Sequence, residues 1–368
     1  MDGTYLFAAG GTGGHLFPAV ALARALFARH PAAKVLFVGS DRELERGILA
    51  REGIAHRPLP AASTAVLRRN PARFAWRNWQ AYRTALQTCR ETRPAAVIGC
   101  GGFASVAPVL AASRMGVPVV LLEQNATAGR ATTWLARRAD VVCLSFARSA
   151  TMLPRGVRSI VTGNPVRDEI ARLAVEPRLR GDGPRTLLIL GGSQGARHLN
   201  MAVLAALRQL RDDTAGWRIV HQAGQGHEAD LREGYRLLGL NATVTPFLAD
   251  MAAEYCNADL AVCRAGATTL AELACARLPA ILVPYPHAAR NHQQHNADVF
   301  VRAGAALQVC EQPLPDDTGS LLAQSMRRLL DGDALCERMA AALKPLARPD
   351  AAEAVLAQLA ALRGLAAA

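Results

Sequence analysis

Short apolar runs alternate along this chain with longer stretches in which apolar residues recur every three to four positions. The runs Tyr5–Ala9, Lys34–Val38, Ala95–Ile98, Val117–Leu122, Val141–Leu144 and Ser159–Val161 have the length and apolar character of buried strands. Between them, helical periodicity fills Ala19–Ala28, Pro71–Cys89, Ala107–Met115 and Ala131–Arg138. The second half repeats the rhythm. Strands are expected at Thr186–Leu190, Arg218–Gln222, Ala242–Thr245, Leu260–Cys263 and Ala280–Pro284, with helices such as Leu199–Leu210, Thr268–Ala276 and His292–Ala303. Strands alternating with helices require parallel sheets joined by right-handed crossovers, so the fold class is α/β.

Each half opens on a strand that runs straight into glycines. Tyr5–Ala9 is followed by Gly10-Gly11-Thr12-Gly13-Gly14-His15, and Thr186–Leu190 by Gly191-Gly192-Ser193-Gln194-Gly195-Ala196. Such a turn aims backbone N–H groups and the positive end of a helix dipole at one point, which suits a phosphate. Neither turn is G-x-G-x-x-G, and neither ends in Gly-Lys-Ser/Thr, so hydride transfer and ATP hydrolysis lose their best support. The repeat predicts two similar α/β domains. The join is placed near Gly163-Asn164-Pro165, with a surface loop over 176–184 and an alanine- and leucine-rich helix after Pro349 that packs back on the first domain.

A length of 368 residues suits two full cores, and 51% apolar with 20% charged content is ordinary for a globular protein. The net charge of +12 is not ordinary, and it implies attraction to something anionic. None of the eight cysteines forms a C-x-x-C pair, so no zinc site is expected and a reducing cytoplasm is. The first residues lack a signal-peptide pattern. The apolar stretch Val97–Leu122 is broken by glycines and prolines, so it reads as strand, turn, helix and strand rather than a membrane span.

Chemistry concentrates in a few places. His15 opens a helix, where the dipole favours a neutral imidazole able to take a proton; it is the candidate general base, with Glu123 next in line. In Arg264–Glu272, Thr268 and Thr269 are candidate helix caps, and Glu272 lies one turn beyond Thr268. A carboxylate there can receive the two hydroxyls of a ribose, or can close a capping box. His287, His292 and His295 lie among amides rather than carboxylates, which argues against a metal. The segment 67–93 holds seven arginines and one acid, Glu91. After an Asn70-Pro71 helix start, Ala75, Trp79, Tyr82 and Leu86 are expected on one face and Arg69, Arg73 and Arg77 on the other. That helix either buries its apolar side in the core or meets anionic lipid headgroups.

In their order and spacing, Gly10–Pro18, Gly101–Pro108, Glu123-Gln124-Asn125, Gly163–Arg167, Gly191–Ala196, Arg264–Glu272 and Asn291–Ala297 resemble the lipid II-forming peptidoglycan glycosyltransferase family. Its full name is UDP-N-acetylglucosamine:N-acetylmuramyl-(pentapeptide) pyrophosphoryl-undecaprenol N-acetylglucosaminyltransferase. The resemblance implies a GT-B architecture, two Rossmann-like domains with the active site in the cleft between them. Residues 1–163 would form the acceptor and membrane-docking domain, residues 164–344 the UDP-sugar domain, and 345–368 would return to the first. The implied donor site is Thr12, Gly13, Gly14, Asn125, Arg167, Ser193, Leu248, Ala267, Thr268, Thr269, Leu270, Ala271, Glu272 and Gln293. Glu272 would hold the ribose, the backbone near Leu248 would read the uracil, and Ser193 would meet the diphosphate. Gly101, Gly102 and Phe103 would receive the acceptor's diphosphate, Phe103 standing where the family often has tyrosine.

The same resemblance implies an inverting transfer of GlcNAc from UDP-GlcNAc to lipid I, with His15 as base and neither cofactor nor metal. It implies a peripheral place on the cytoplasmic face of the bacterial inner membrane, docked on the anionic leaflet. Other cell-wall synthesis proteins are candidate partners, and nucleic acid is not. Two rivals share some of these features. A UDP-sugar epimerase could use the same two-domain frame, and a nucleic-acid-binding module could explain the charge.

Overall fold

A computed structural model describes residues 1–10, 13–176, 183–192 and 195–366. Gly11, Thr12, Ser193, Gln194 and most of the expected 176–184 loop therefore lie outside the described residues. The chain forms two compact units, Met1–Asp168 together with the segment from Asp350 onward, and Glu169–Pro349. The sequence places the join at Gly163, whereas the contacts divide the chain after Asp168. Thr162 and Gly163 both donate their N–H groups to Leu144 O, which keeps this stretch on the first sheet.

The first unit is built on seven parallel strands: β1 (Gly3–Ala8), β2 (Ala33–Gly39), β3 (Ala55–Pro58), β4 (Ala96–Gly99), β5 (Val119–Glu123), β6 (Val141–Leu144) and β7 (Ser159–Val161). Their order is β3-β2-β1-β4-β5-β6-β7. Alternate residues feed two cores. Tyr5, Phe7, Phe37, Ile98 and Val120 face one side, and Leu6, Val38, Val97, Val119 and Leu121 face the other. A sheet covered on both faces explains why its strands read as continuous apolar runs. The helix Ala351–Ala366 supplies Val355, Leu356, Leu359 and Leu362 to the Tyr5/Phe7 core, at about 1.5–3 kcal/mol for each large side chain fully buried.

The second unit carries six parallel strands: β8 (Thr186–Leu190), β9 (Arg218–Gln222), β10 (Ala242–Thr245), β11 (Leu260–Cys263), β12 (Ala280–Leu282) and β13 (Ala306–Gln308), in the order β10-β9-β8-β11-β12-β13. The sequence reading misses β3 and β13. Both are sheet edges, paired on one side only, and Ala55-His56-Arg57-Pro58 has no apolar alternation to announce it.

The arginine-rich helix spans Pro71–Thr92, and Asn70 caps it by accepting the Arg73 N–H at 2.8 Å. Its faces match the expected ones only in part: Tyr82 and Leu86 pack against the core, but Trp79 does not. Ala81, Ala85, Thr88 and Cys89 form the buried stripe, while Trp76 and Trp79 are exposed and stacked on one another at 5.1 Å. Arg77 is drawn inward, donating to Pro60 O, and Arg69 sits on the preceding short helix Thr64–Arg69. Among the described residues, no helix is long and apolar enough to cross a membrane.

Candidate active site

In an open parallel sheet, ligands bind at the carboxyl ends of strands where the strand order reverses. Here those points lie between β1 and β4 and between β8 and β11. Each glycine turn follows one of these strands, β1 or β8, so each stands at the switch point of its own sheet. The helices that begin there, Gly13–Arg29, Arg197–Gln209 and Ala267–Ala276, carry no acid in their first turn. Helices elsewhere, such as Glu43–Arg51 and Glu228–Leu238, do. The switch-point helix starts therefore keep their positive ends uncompensated by local carboxylates, as an anion site requires.

In the first unit the side chain of His15, from the helix Gly13–Arg29, lies against the loop after β4. A Cβ added to Gly101 would come within 2.9 Å of the His15 Cδ2, and one added to Gly102 within 2.7 Å of Gly10 O and 3.4 Å of His15 Nδ1. Both glycines also have positive φ, +94° and +74°, so side chains are excluded by conformation as well as by space. The imidazole thus rests against bare backbone. Gln124 completes this corner. Its Nε2 donates to Cys100 O at 3.0 Å, and its Oε1 lies 3.5 Å from the Gly101 Cβ position. Half-buried Phe103 starts the next turn, and Ser105 Oγ donates back to Gly102 O.

Glu123, the next candidate base, is already engaged by its own loop. Its buried carboxylate accepts from the Asn125 N–H at 3.0 Å, Asn125 Nδ2 at 3.3 Å and the Gly129 N–H at 2.8 Å. A carboxylate so engaged folds the loop after β5 and orients the Asn125 amide. Arg167 falls in the first unit, its guanidinium over the Phe17 ring at 5.8 Å on the Gly13–Arg29 helix.

In the second unit the helix Ala267–Ala276 starts from Gly266 with no side-chain cap, so Thr268 and Thr269 are half-buried first-turn residues rather than caps. Glu272 is buried to 7% exposure and closes no capping box; its Oε2 accepts from Tyr255 Oη at 2.9 Å. Leu248 is buried in the loop after β10, and Leu270 is fully buried. Gln293, near the start of the helix His292–Arg302, accepts the Tyr285 N–H through Oε1 at 2.9 Å, which fixes the direction of its amide. The nearby histidines are occupied singly. His292 Nδ1 meets Ala289 O, His295 lies beside Asp298, and His287 packs edge-on to Tyr285.

Gly191, just after β8, stands against a polar chain that sequence reasoning missed. Asn200 donates through Nδ2 to Ala223 O, so its Oδ1 must accept from His221 Nε2 at 3.1 Å. That assigns the proton to Nε2, and Tyr235 Oη then donates to Nδ1 at 2.8 Å. Burial pushes the His221 pKa down to about 3, so the ring is neutral throughout the physiological range. A Cβ on Gly191 would stand 3.2 Å from Asn200 Oδ1. Nothing local in the sequence marks this set, because its members come from three separate elements.

Comparisons with known proteins cover almost the whole chain. The glycosyltransferase family 28 N-terminal domain matches residues 5–144, and the family 28 C-terminal domain matches residues 186–355. The chain belongs to glycosyltransferase family 28. Within family 28 it is 43% identical over 361 residues to the UDP-N-acetylglucosamine--N-acetylmuramyl-(pentapeptide) pyrophosphoryl-undecaprenol N-acetylglucosamine transferase of Hahella chejuensis, covering 96% of each chain. The transferase of that name from Geobacter sulfurreducens is 38% identical, over 96% of this chain and 97% of its own. A crystal structure of Acinetobacter baumannii MurG superposes with a TM-score of 0.75 at 31% identity, over 97% of this chain and 99% of that one. The family 28 fold is thus the two-sheet GT-B fold, each sheet with its own glycine turn.

Proposed function

We propose that this family 28 enzyme moves GlcNAc from UDP-GlcNAc to the muramyl 4-hydroxyl of undecaprenyl-diphospho-MurNAc-pentapeptide, turning lipid I into lipid II in peptidoglycan synthesis. The observation that carries the reading is the likeness to transferases of that name along 96% of the chain, through both units. The site geometry supports the chemistry. His15 takes the proton from the acceptor hydroxyl as its oxygen attacks the anomeric carbon; the new C–O bond forms as the bond to the β-phosphate oxygen of UDP breaks, and the electron pair leaves on UDP. Attack from the face opposite the leaving group inverts the anomeric centre.

Gly101, Gly102 and Phe103 serve the acceptor side, the two glycines letting the His15 imidazole lie close to the loop that receives the acceptor's diphosphate. Gly13, Gly14, Asn125, Arg167, the segment Ala267–Glu272 and Gln293 serve the donor, with Glu272 on the ribose and Leu248 at the uracil. Thr12 and Ser193 keep the donor roles their sequence positions imply. The Arg197 helix start and Arg167 offset the charge developing on the leaving UDP. UDP released from UDP-GlcNAc only when a short-chain lipid I analogue is present is the expected result. UDP release or a new sugar nucleotide without acceptor overturns the reading, and the latter restores the epimerase.

The enzyme is placed peripherally on the cytoplasmic face of the inner membrane, where its acceptor is anchored. Exposed Trp76 and Trp79, with Arg83 over Trp79 at 4.9 Å, and exposed Trp134, with Arg138 over it at 5.0 Å, support docking on an anionic leaflet. Replacing Arg69, Arg73 and Arg83 by glutamate is expected to weaken binding to anionic vesicles by about 1 kcal/mol per residue. Activity on a soluble acceptor analogue should survive. Vesicle sedimentation that does not distinguish variant from parent would move the docking surface elsewhere.

A further inference from the structure

Glu272 does not stand alone in its helix. Tyr255, from the short helix Met251–Asn257, is fully buried and donates its phenolic O–H to Glu272 Oε2 at 2.9 Å. That helix is entered from the loop holding Leu248, and Asp250 caps it by accepting the Ala253 N–H at 3.0 Å. One hydrogen bond therefore links the loop after β10 to the carboxylate on the helix after β11. The terminal torsion of a glutamate is soft and roughly two-fold, so an unsupported carboxylate samples a wide arc. A carboxylate accepts along about four lone-pair directions, and the phenol fixes one of them on Oε2. That bond restricts the carboxylate's orientation before any nucleotide arrives, which lowers the ordering cost of binding.

We propose that Tyr255 is a positioning residue: it aims the Glu272 carboxylate at the ribose hydroxyls and ties that aim to the loop at Leu248. Preference for a ribonucleoside diphosphate over its deoxy counterpart then depends on a phenol that does not itself touch the nucleotide. The inference rests on the reading of Glu272 as the ribose ligand and adds what makes that ligand selective. The signal is invisible in the sequence, because the two residues belong to different elements and neither has an unusual neighbour.

Calorimetric titration with UDP, 2′-deoxy-UDP and 3′-deoxy-UDP, on the parent and on Tyr255→Phe, tests it. Phenylalanine keeps the ring and almost all of the volume, so the core stays filled. The parent should prefer UDP over at least one deoxy nucleotide by about tenfold or more, the worth of hydrogen bonds to a charged group. In Tyr255→Phe that ratio should shrink by about threefold or more, with UDP weakened and deoxy binding little changed. In a Glu272→Ala background, Tyr255→Phe should have no further effect on UDP affinity, as expected for two residues acting as a unit. Equal weakening of all three nucleotides, an unchanged ratio, or additive single effects would overturn the role of Tyr255 while leaving Glu272 on the ribose. A parent that does not distinguish the three would instead remove Glu272 from the ribose.

Discussion

His15→Ala is expected to lower kcat by about 10²–10⁴-fold while UDP binding stays close to the parent value, the usual loss for a positioned general base. The imidazole lies against the backbone of Gly101 and Gly102. Removing it takes away the proton acceptor without disturbing the second unit, which holds most of the donor ligands. His15→Asn should be almost as slow, since an amide can hydrogen-bond but cannot take the proton. The acidic limb of the parent's pH–rate profile should flatten in both variants. Steady-state kinetics on a soluble acceptor analogue measures this. An asparagine variant with most of the activity would make His15 a positioning or phosphate-orienting residue. Glu123 would then be the next candidate, and to act it would have to give up the Asn125 and Gly129 N–H groups it accepts from.

Glu272→Ala should act on binding rather than on chemistry. Hydrogen bonds to the ribose persist through the reaction, so their loss raises KM for UDP-GlcNAc with a smaller change in kcat. At about 1.5–3 kcal/mol for hydrogen bonds to a charged group, affinity for UDP should fall about tenfold to a hundredfold. The change also leaves the fully buried Tyr255 phenol without this acceptor, so some loss of thermal stability accompanies it. UDP titration separates the two effects, because a purely structural role would lower the melting temperature and leave the affinity of the folded enzyme intact. Unchanged affinity with reduced turnover would mean that Glu272 works on the reaction instead.

Much of the fold is legible in the sequence because both sheets are buried on both faces. Runs such as Thr186–Leu190 and Leu260–Cys263 have no polar face to blur their limits, and the structure ends them at the same residues. The edge strands β3 and β13 lack that signal. The glycine turns are legible for a local reason, since a strand entering a helix through glycines is one continuous stretch of sequence. Side-chain partnerships across elements are not. Tyr255 with Glu272, Gln124 with Cys100, and Asn200 with His221 and Tyr235 depend on how strands and helices stack. Helix faces are the intermediate case. Periodicity alone puts Trp79 on the core side of Pro71–Thr92, yet small residues, Ala81 and Ala85, take that side and leave the indoles outside. A helix that packs closely on its neighbour needs small side chains at the contact, and a large aromatic then has to face outward.

The central claim is a direct, inverting transfer to one hydroxyl of the acceptor. The measurement that bears on it most directly is the linkage and anomeric configuration of the product, read by NMR after incubation with UDP-GlcNAc and a soluble lipid I analogue. The account predicts a single β-linked disaccharide joined at the muramyl 4-hydroxyl; an α-linked product, or transfer to another position, would contradict it.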